Sequence, residues 1–135
     1  MSLIDEIKKH EGYRDSVYQC TEGYDTIGYG FAIKDLKLSE EICNIILTEK
    51  IAKLQFDISN KFEWFEDSPN LVKDVVTNMC YQLGLSGFSK FKQTIYYLET
   101  EQYEEASIEC LDSLWAKQTP NRAKELSEQL ASLAN

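Results

Sequence analysis

Glu11-Gly12-Tyr13-Arg14, Cys20-Thr21-Glu22-Gly23 and Thr26-Ile27-Gly28-Tyr29-Gly30 are the stretches on which the fold turns. A glutamate closes an amphipathic pattern, a glycine interrupts it, and a region rich in Tyr, Val, Ile and Thr follows with glycines spaced through it. Residues of that kind fit a pleated surface and the glycines mark turns. Residues 17–20 and 25–28 are therefore expected to form a hairpin about Thr21-Glu22-Gly23-Tyr24, with 31–33 as a third strand.

Working outward, Ser2 is placed to cap a first helix whose Leu3, Ile4 and Ile7 share a face and which stops at Glu11-Gly12. Glu11 thus falls at a helix end, facing the strands. On the other side, Ser39 with Glu40 and Glu41 reads as an N-cap followed by acids that complement the helix dipole. Ile42, Ile45, Ile46, Leu54 and Ile58 continue at near-helical spacing to about residue 60. Ser68-Pro69 reads as a cap and a first-turn proline. It precedes an apolar stripe of Leu71, Val72, Val75, Val76, Met79, Cys80 and Leu83 that is expected to stop at Gly84. Helical patterns at 90–100 and 102–114 follow, and Thr119-Pro120 repeats the cap signal before Ala123, Leu126, Leu130 and Leu133. The expected class is α+β, mainly α. A small N-terminal hairpin lobe (12–35) is joined by a helix (39–60) to a C-terminal bundle (61–135), with 1–11 packing on that bundle in one domain.

A chain of 135 residues suits one domain. Its formal charge of −9 is spread along the sequence, and no segment is dominated by Lys or Arg, so nucleic acid is excluded as a partner. Charges interrupt the apolar residues of the N-terminus, which gives no signal peptide. No apolar run approaches the roughly 20 residues of a membrane span. Cys20, Cys43, Cys80 and Cys110 are widely spaced and His10 is the only histidine, so no metal site and no cofactor is expected. Reduced thiols are the default in such a chain, with Cys80 and Cys110 acting as small apolar residues.

The chemical content lies in Glu11. A carboxylic acid at a junction between lobes suits general-acid work, since partial burial there favours the protonated form. The segment around it closely resembles the catalytic segment of the phage lysozymes of glycoside hydrolase family 24, in which a Glu, an Asp or Cys, and a Thr recur with the spacing of Glu11, Cys20 and Thr26. Asn78-Met79-Cys80-Tyr81-Gln82-Leu83-Gly84 resembles the central core helix of that family. The segment from Trp115 to Ala123, containing Thr119-Pro120-Asn121-Arg122, is similar to its C-terminal signature.

The resemblance implies a lysozyme-like fold and an inverting muramidase that cuts β-1,4 bonds between N-acetylmuramic acid and N-acetylglucosamine in peptidoglycan glycan strands. Glu11 would be the general acid, Thr26 and Cys20 would position water, and Arg122 would be the charge partner of Glu11. Gly30, Phe31, Ala32 and Ile33, with Tyr81 and Thr94 from the helical part, would line the sugar cleft. Trp115 and Gln118 are assigned to packing. It implies a monomer without stable membrane insertion, held in a host cytoplasm until released to the wall or carried in a phage particle. Many relatives have aspartate where Cys20 stands, and a thiol carries less charge near neutral pH. The alternative is therefore a weakly active or inactive peptidoglycan-binding module of the same fold.

Overall fold

The computed structural model describes residues 2–134. The first helix, α1 (Leu3–Glu11), is set by its ends. The Ser2 hydroxyl accepts the Asp5 backbone N–H at 3.2 Å, and the Asp5 carboxylate accepts the Ser2 backbone N–H at 3.4 Å, a reciprocal cap that satisfies otherwise orphaned donors. Gly12 ends the helix at φ 73°, where it donates its N–H to the carbonyl of Lys8.

Three antiparallel strands follow in the order β1 (Arg14–Gln19), β2 (Asp25–Gly28) and β3 (Phe31–Ala32). Tyr18 pairs with Thr26 and Thr26 with Ala32, which fixes the face that Thr26 shares with its neighbours. The β1–β2 turn is closed by the Cys20 N–H on the Tyr24 carbonyl at 3.0 Å and the Gly23 N–H on the Cys20 carbonyl at 2.9 Å. β1 begins earlier than its apolar residues suggested. The third strand is shorter than expected, because Ile33 already opens a 3-10 turn, Ile33–Asp35.

Helix α2 (Glu40–Lys61) carries the expected cap, the Ser39 hydroxyl accepting the Ile42 N–H at 3.2 Å. Helix α3 (Asn70–Phe88) departs from expectation at both ends. Pro69 is its N-cap, and the Ser68 hydroxyl turns back to donate to the Trp64 carbonyl at 2.7 Å instead of capping. Gly84 does break the helix, at φ 77°, but hydrogen bonding resumes through Phe88, which is fully buried. The rest is helical: α4 (Lys92–Glu99), α5 (Tyr103–Leu111), α6 (Leu114–Gln118) and α7 (Pro120–Ala131). The single pattern expected at 102–114 is two helices. Ser113 interrupts it, its hydroxyl accepting the Ala116 N–H and so capping α6.

The chain divides into two compact units, Met1–Asn44 and Ile45–Asn135. The first holds α1 and the sheet. It has little apolar interior: α1 buries none of its residues, and Thr26 is the buried residue of the strands. The second has a true core, in which Ile58, Val72, Val75, Val76, Phe88 and Leu130 are fully enclosed. Each such side chain contributes about 1.5–3 kcal/mol of transfer free energy. A ladder of rings from Phe62 through Phe88 and Phe91 to Trp115, at centroid separations of 6.0–6.3 Å, joins the loop after α2 to α3, α4 and α6. This is the α+β, mainly α, lysozyme-like architecture expected. No helix among the described residues is long and apolar enough to cross a membrane.

Candidate active site

Glu11 is positioned by what surrounds the last turn of α1. Tyr29, in the turn after β2, receives the Tyr13 ring at 5.5 Å and the Lys8 ammonium over its face at 5.3 Å. Contacts of these kinds contribute about 0.5–1.5 kcal/mol each. They tie the helix end to the β2–β3 turn and bring the Glu11 carboxyl against Gly30. A Cβ built on Gly30 would lie 2.9 Å from the Glu11 carboxyl carbon and closer still to Oε2, and Gly30 has φ 77°. Both facts demand glycine at position 30: the backbone is left-handed, and the carboxylate occupies the space of a side chain.

Glu11, Tyr18, Cys20, Glu22, Tyr24, Thr26, Gly30, Ala32, Lys34 and Asp35 line one open pocket of about 310 Å³ within the first unit. Period-two alternation explains much of this membership. Tyr18 and Cys20 point the same way from β1 and its end, as do Tyr24 and Thr26 at β2. Glu11 itself is exposed, at the rim where α1 ends, and not partly buried as expected, whereas Thr26 is 3% exposed. The Thr26 hydroxyl donates to the Tyr24 carbonyl at 2.9 Å.

Cys20 is half-buried with a free thiol, as all four cysteines are free. The backbone N–H of Tyr24, then that of Glu22, holds its thiol below the ordinary range, with help from the Thr26 side chain. Partial burial and the nearby Glu22 carboxylate act in the opposite direction. The turn that closes the hairpin thus also favours ionisation of the Cys20 thiol. Cys80 and Cys110 behave otherwise. Burial pushes their thiols up to about 12 and about 11, as expected of cysteines serving as core residues.

Of the residues expected at the site, Glu11, Cys20, Thr26, Gly30 and Ala32 come together in this pocket. Phe31 and Ile33 do not line it. Phe31 packs edge-on against Tyr29 and over Gly28, and Ile33 faces a separate hollow with Gln19, Gly23 and Asp25. Adjacent residues on a strand face opposite sides, so Ala32 and its two neighbours could not all share one surface. Tyr18, Glu22, Tyr24, Lys34 and Asp35 are the pocket residues that sequence reasoning did not select. For Tyr18 and Tyr24 the alternation with Cys20 and Thr26 was the available signal. Asp35 and Lys34 arrive through the 3-10 turn, which no pattern announced.

The helical unit places Thr94, Tyr81 and Arg122 separately. Thr94 is buried and lines a groove of about 590 Å³ with Phe91, Lys92, Glu109, Trp115 and Gln118. Trp115 belongs to the core and also forms part of this groove. Its indole N–H donates to Gln82 at 2.8 Å. Tyr81 is half-exposed and, with Arg122, lines a smaller hollow of about 340 Å³. Arg122 donates through Nε to the Asn78 side-chain oxygen at 2.8 Å and through Nη2 to the Asn78 carbonyl at 3.1 Å, which fixes its guanidinium on α3. No group of three His, Cys, Asp or Glu side chains among the described residues is placed to hold a metal ion.

A glutamate at the end of a first helix, set against a three-stranded hairpin sheet and followed by an all-helical unit, is the build of a lysozyme-like glycoside hydrolase. Residues 8–131 match the family model described as phage lysozyme, and the chain belongs to that family. It is 30% identical over 151 aligned positions to probable T4-type lysozyme 1 of Dictyostelium discoideum, covering 90% of this chain and 89% of that protein. Probable T4-type lysozyme 2 of the same organism matches over the same extent. The pre-baseplate central spike protein Gp5 of Enterobacteria phage T4 is 26% identical over 94% of this chain, which corresponds to 27% of the spike protein.

Proposed function

We propose that the protein is a muramidase that cleaves the β-1,4 bond between N-acetylmuramic acid and N-acetylglucosamine in peptidoglycan. The observation that carries this reading is the gathering of Glu11, Cys20 and Thr26 around a single open pocket in a chain of the phage lysozyme family. Glu11, in its acid form, donates its proton to the glycosidic oxygen as the bond to the anomeric carbon breaks. A water held by the Thr26 hydroxyl and the Cys20 sulfur adds to that carbon from the opposite face, and its proton leaves to solvent. The product carries inverted configuration, and Glu11 regains its proton from solvent. Gly30 and Ala32 give the sugar a surface without side chains that would block its approach.

On this reading Arg122, Tyr81 and Thr94 keep the roles that the family resemblance implies for them. The enzyme works as a monomer without a cofactor. The spike protein's name makes delivery within a phage particle a reading of equal standing with release from a host cytoplasm at lysis.

The test is release of reducing ends from purified peptidoglycan by the wild type and Glu11→Gln. Glu11→Gln is isosteric and removes only the transferable proton, so turnover should fall by at least about 1,000-fold while glycan binding persists. The thiol at position 20 favours a second reading, a binding module without useful hydrolysis. Equal binding and no release by wild type, Glu11→Gln and Cys20→Asp would establish that reading instead.

A further inference from the structure

Position 20 in the pocket holds a thiol and no carboxylate. Breaking a glycosidic bond builds positive charge on the anomeric carbon and ring oxygen, and Glu11, as the acid, enters that step uncharged. The anionic side chains remaining in the pocket lining are Glu22 and Asp35, and Lys34 is its cation. The Lys34 ammonium is taken up over the Tyr24 ring at 3.9 Å from the centroid.

The two carboxylates are not equivalent. Glu22 rides on the same closed turn as Cys20, two residues away, and that turn is fixed by the Cys20–Tyr24 and Gly23–Cys20 backbone bonds. Its backbone N–H addresses the Cys20 sulfur, and its carboxylate lies near enough to oppose ionisation of the thiol. Asp35 also lines the pocket, from the end of the 3-10 turn rather than from the hairpin turn that carries Cys20.

On the muramidase reading above, we propose that the Glu22 carboxylate supplies negative charge that stabilises the developing oxocarbenium ion, while Cys20 holds water. Glu22 acts through charge alone: no proton moves to it and no bond forms. The two groups share one electrostatic task. A carboxylate at 22 opposes a thiolate at 20, so the two side chains compete to carry negative charge in the pocket.

The experiment compares Glu22→Gln in two backgrounds, the natural Cys20 and Cys20→Asp, by release of reducing ends from purified peptidoglycan between pH 6 and pH 9. With Cys20 present, Glu22→Gln should lower kcat about tenfold at pH 6, and the deficit should narrow as pH rises and the thiolate takes over the charge. In the Cys20→Asp background the same change should cost less than about threefold, because the carboxylate at 20 already provides the field. A deficit of equal size in both backgrounds, or one that ignores pH, marks a structural role and overturns the proposal. So does undiminished turnover in Glu22→Gln.

An independent arm uses iodoacetamide alkylation of Cys20 across pH in Cys43→Ser protein, which removes the fully exposed thiol and leaves the half-buried one. Glu22→Gln should shift the onset of Cys20 reactivity to lower pH. An unmoved onset overturns the proposal, since the charge would then not reach the sulfur. If neither the wild type nor Cys20→Asp releases any reducing ends, the muramidase reading itself falls. If the wild type is active and Glu22→Gln is equally so, only the role of Glu22 falls.

Discussion

Gly30→Ala is the sharpest test of how Glu11, the proposed proton donor, is held. The new methyl would stand 2.9 Å from the Glu11 carboxyl carbon, whereas carbon atoms in ordinary contact sit about 3.5–4.0 Å apart, so the carboxyl must retreat by roughly 0.6–1.1 Å. A displacement of about 1 Å at a reacting group lowers turnover by about 100-fold. The backbone adds a separate penalty. At φ 77° an L side chain costs about 1–2 kcal/mol, which for a chain of this size lowers Tm by roughly 3–10 °C. Gly84→Ala separates the two effects. Gly84 has the same φ of 77° but open space around its would-be Cβ, and it lies in α3, so it should lose comparable or greater stability while keeping its activity. Reducing-end release measured below the melting range of both variants, beside thermal melts, gives the answer. Full turnover in Gly30→Ala, or an equal loss of turnover in Gly84→Ala, would refute the reasoning.

Two further expectations concern the molecule as a whole. The thiols of Cys80 and Cys110 are pushed up to about 12 and about 11, while an exposed thiol titrates near its ordinary value of 9.0. Above that value the unfolded chain loses protons that the folded chain keeps. Stability held below about pH 9 should therefore decline as pH rises towards 12. Urea midpoints taken from about pH 7 to about pH 10.5 should fall more gently in Cys80→Val than in the wild type, and identical slopes would remove Cys80 from the account. With a formal charge of −9, the protein should meet anionic walls slowly at low ionic strength, so clearing of purified sacculi should quicken as moderate salt or a divalent cation is added. A steady decline from the lowest salt upward would count against this.

The parts of the fold that were legible in the sequence are those set by local rules. Ser2 and Ser39 cap because a hydroxyl at that position satisfies orphaned N–H groups whatever the surroundings. The hairpin follows from glycines and alternating residues. The misread points are those where tertiary packing redirected a local signal. Ser68 had the residue type of a cap, yet its hydroxyl serves the Trp64 carbonyl. Gly84 broke the helix as its backbone requires, yet burial of Phe88 keeps the chain turning beyond it. Ser113 was hidden inside an apolar pattern that reads as continuous.

The candidate site was legible to the same degree and for the same reason. Glu11, Cys20 and Thr26 stand at a helix end, a strand end and mid-strand, where periodicity fixes direction. Gly30 was quoted for its motif, but its packing against Glu11 needs three dimensions to be seen. Phe31 and Ile33 were grouped with Ala32 by adjacency, which on a strand places neighbours on opposite faces. Lys34 and Asp35 enter through a short turn whose course depends on Ile33 abandoning the strand.

A hydroxyl has one hydrogen, and that of Thr26 is claimed by the protein: the Tyr24 carbonyl takes it at 2.9 Å, and the neighbouring Cys20 sulfur is its competitor when ionised. Either way the hydrogen is turned inward, and the oxygen presents only lone pairs to the pocket. A solvent molecule arriving there has to bind hydrogen-first, which leaves its own lone pair aimed away from the wall. On the muramidase reading, Thr26 would then select the orientation of an incoming nucleophile as well as its location, a distinction that Thr26→Ser should preserve and Thr26→Val should abolish.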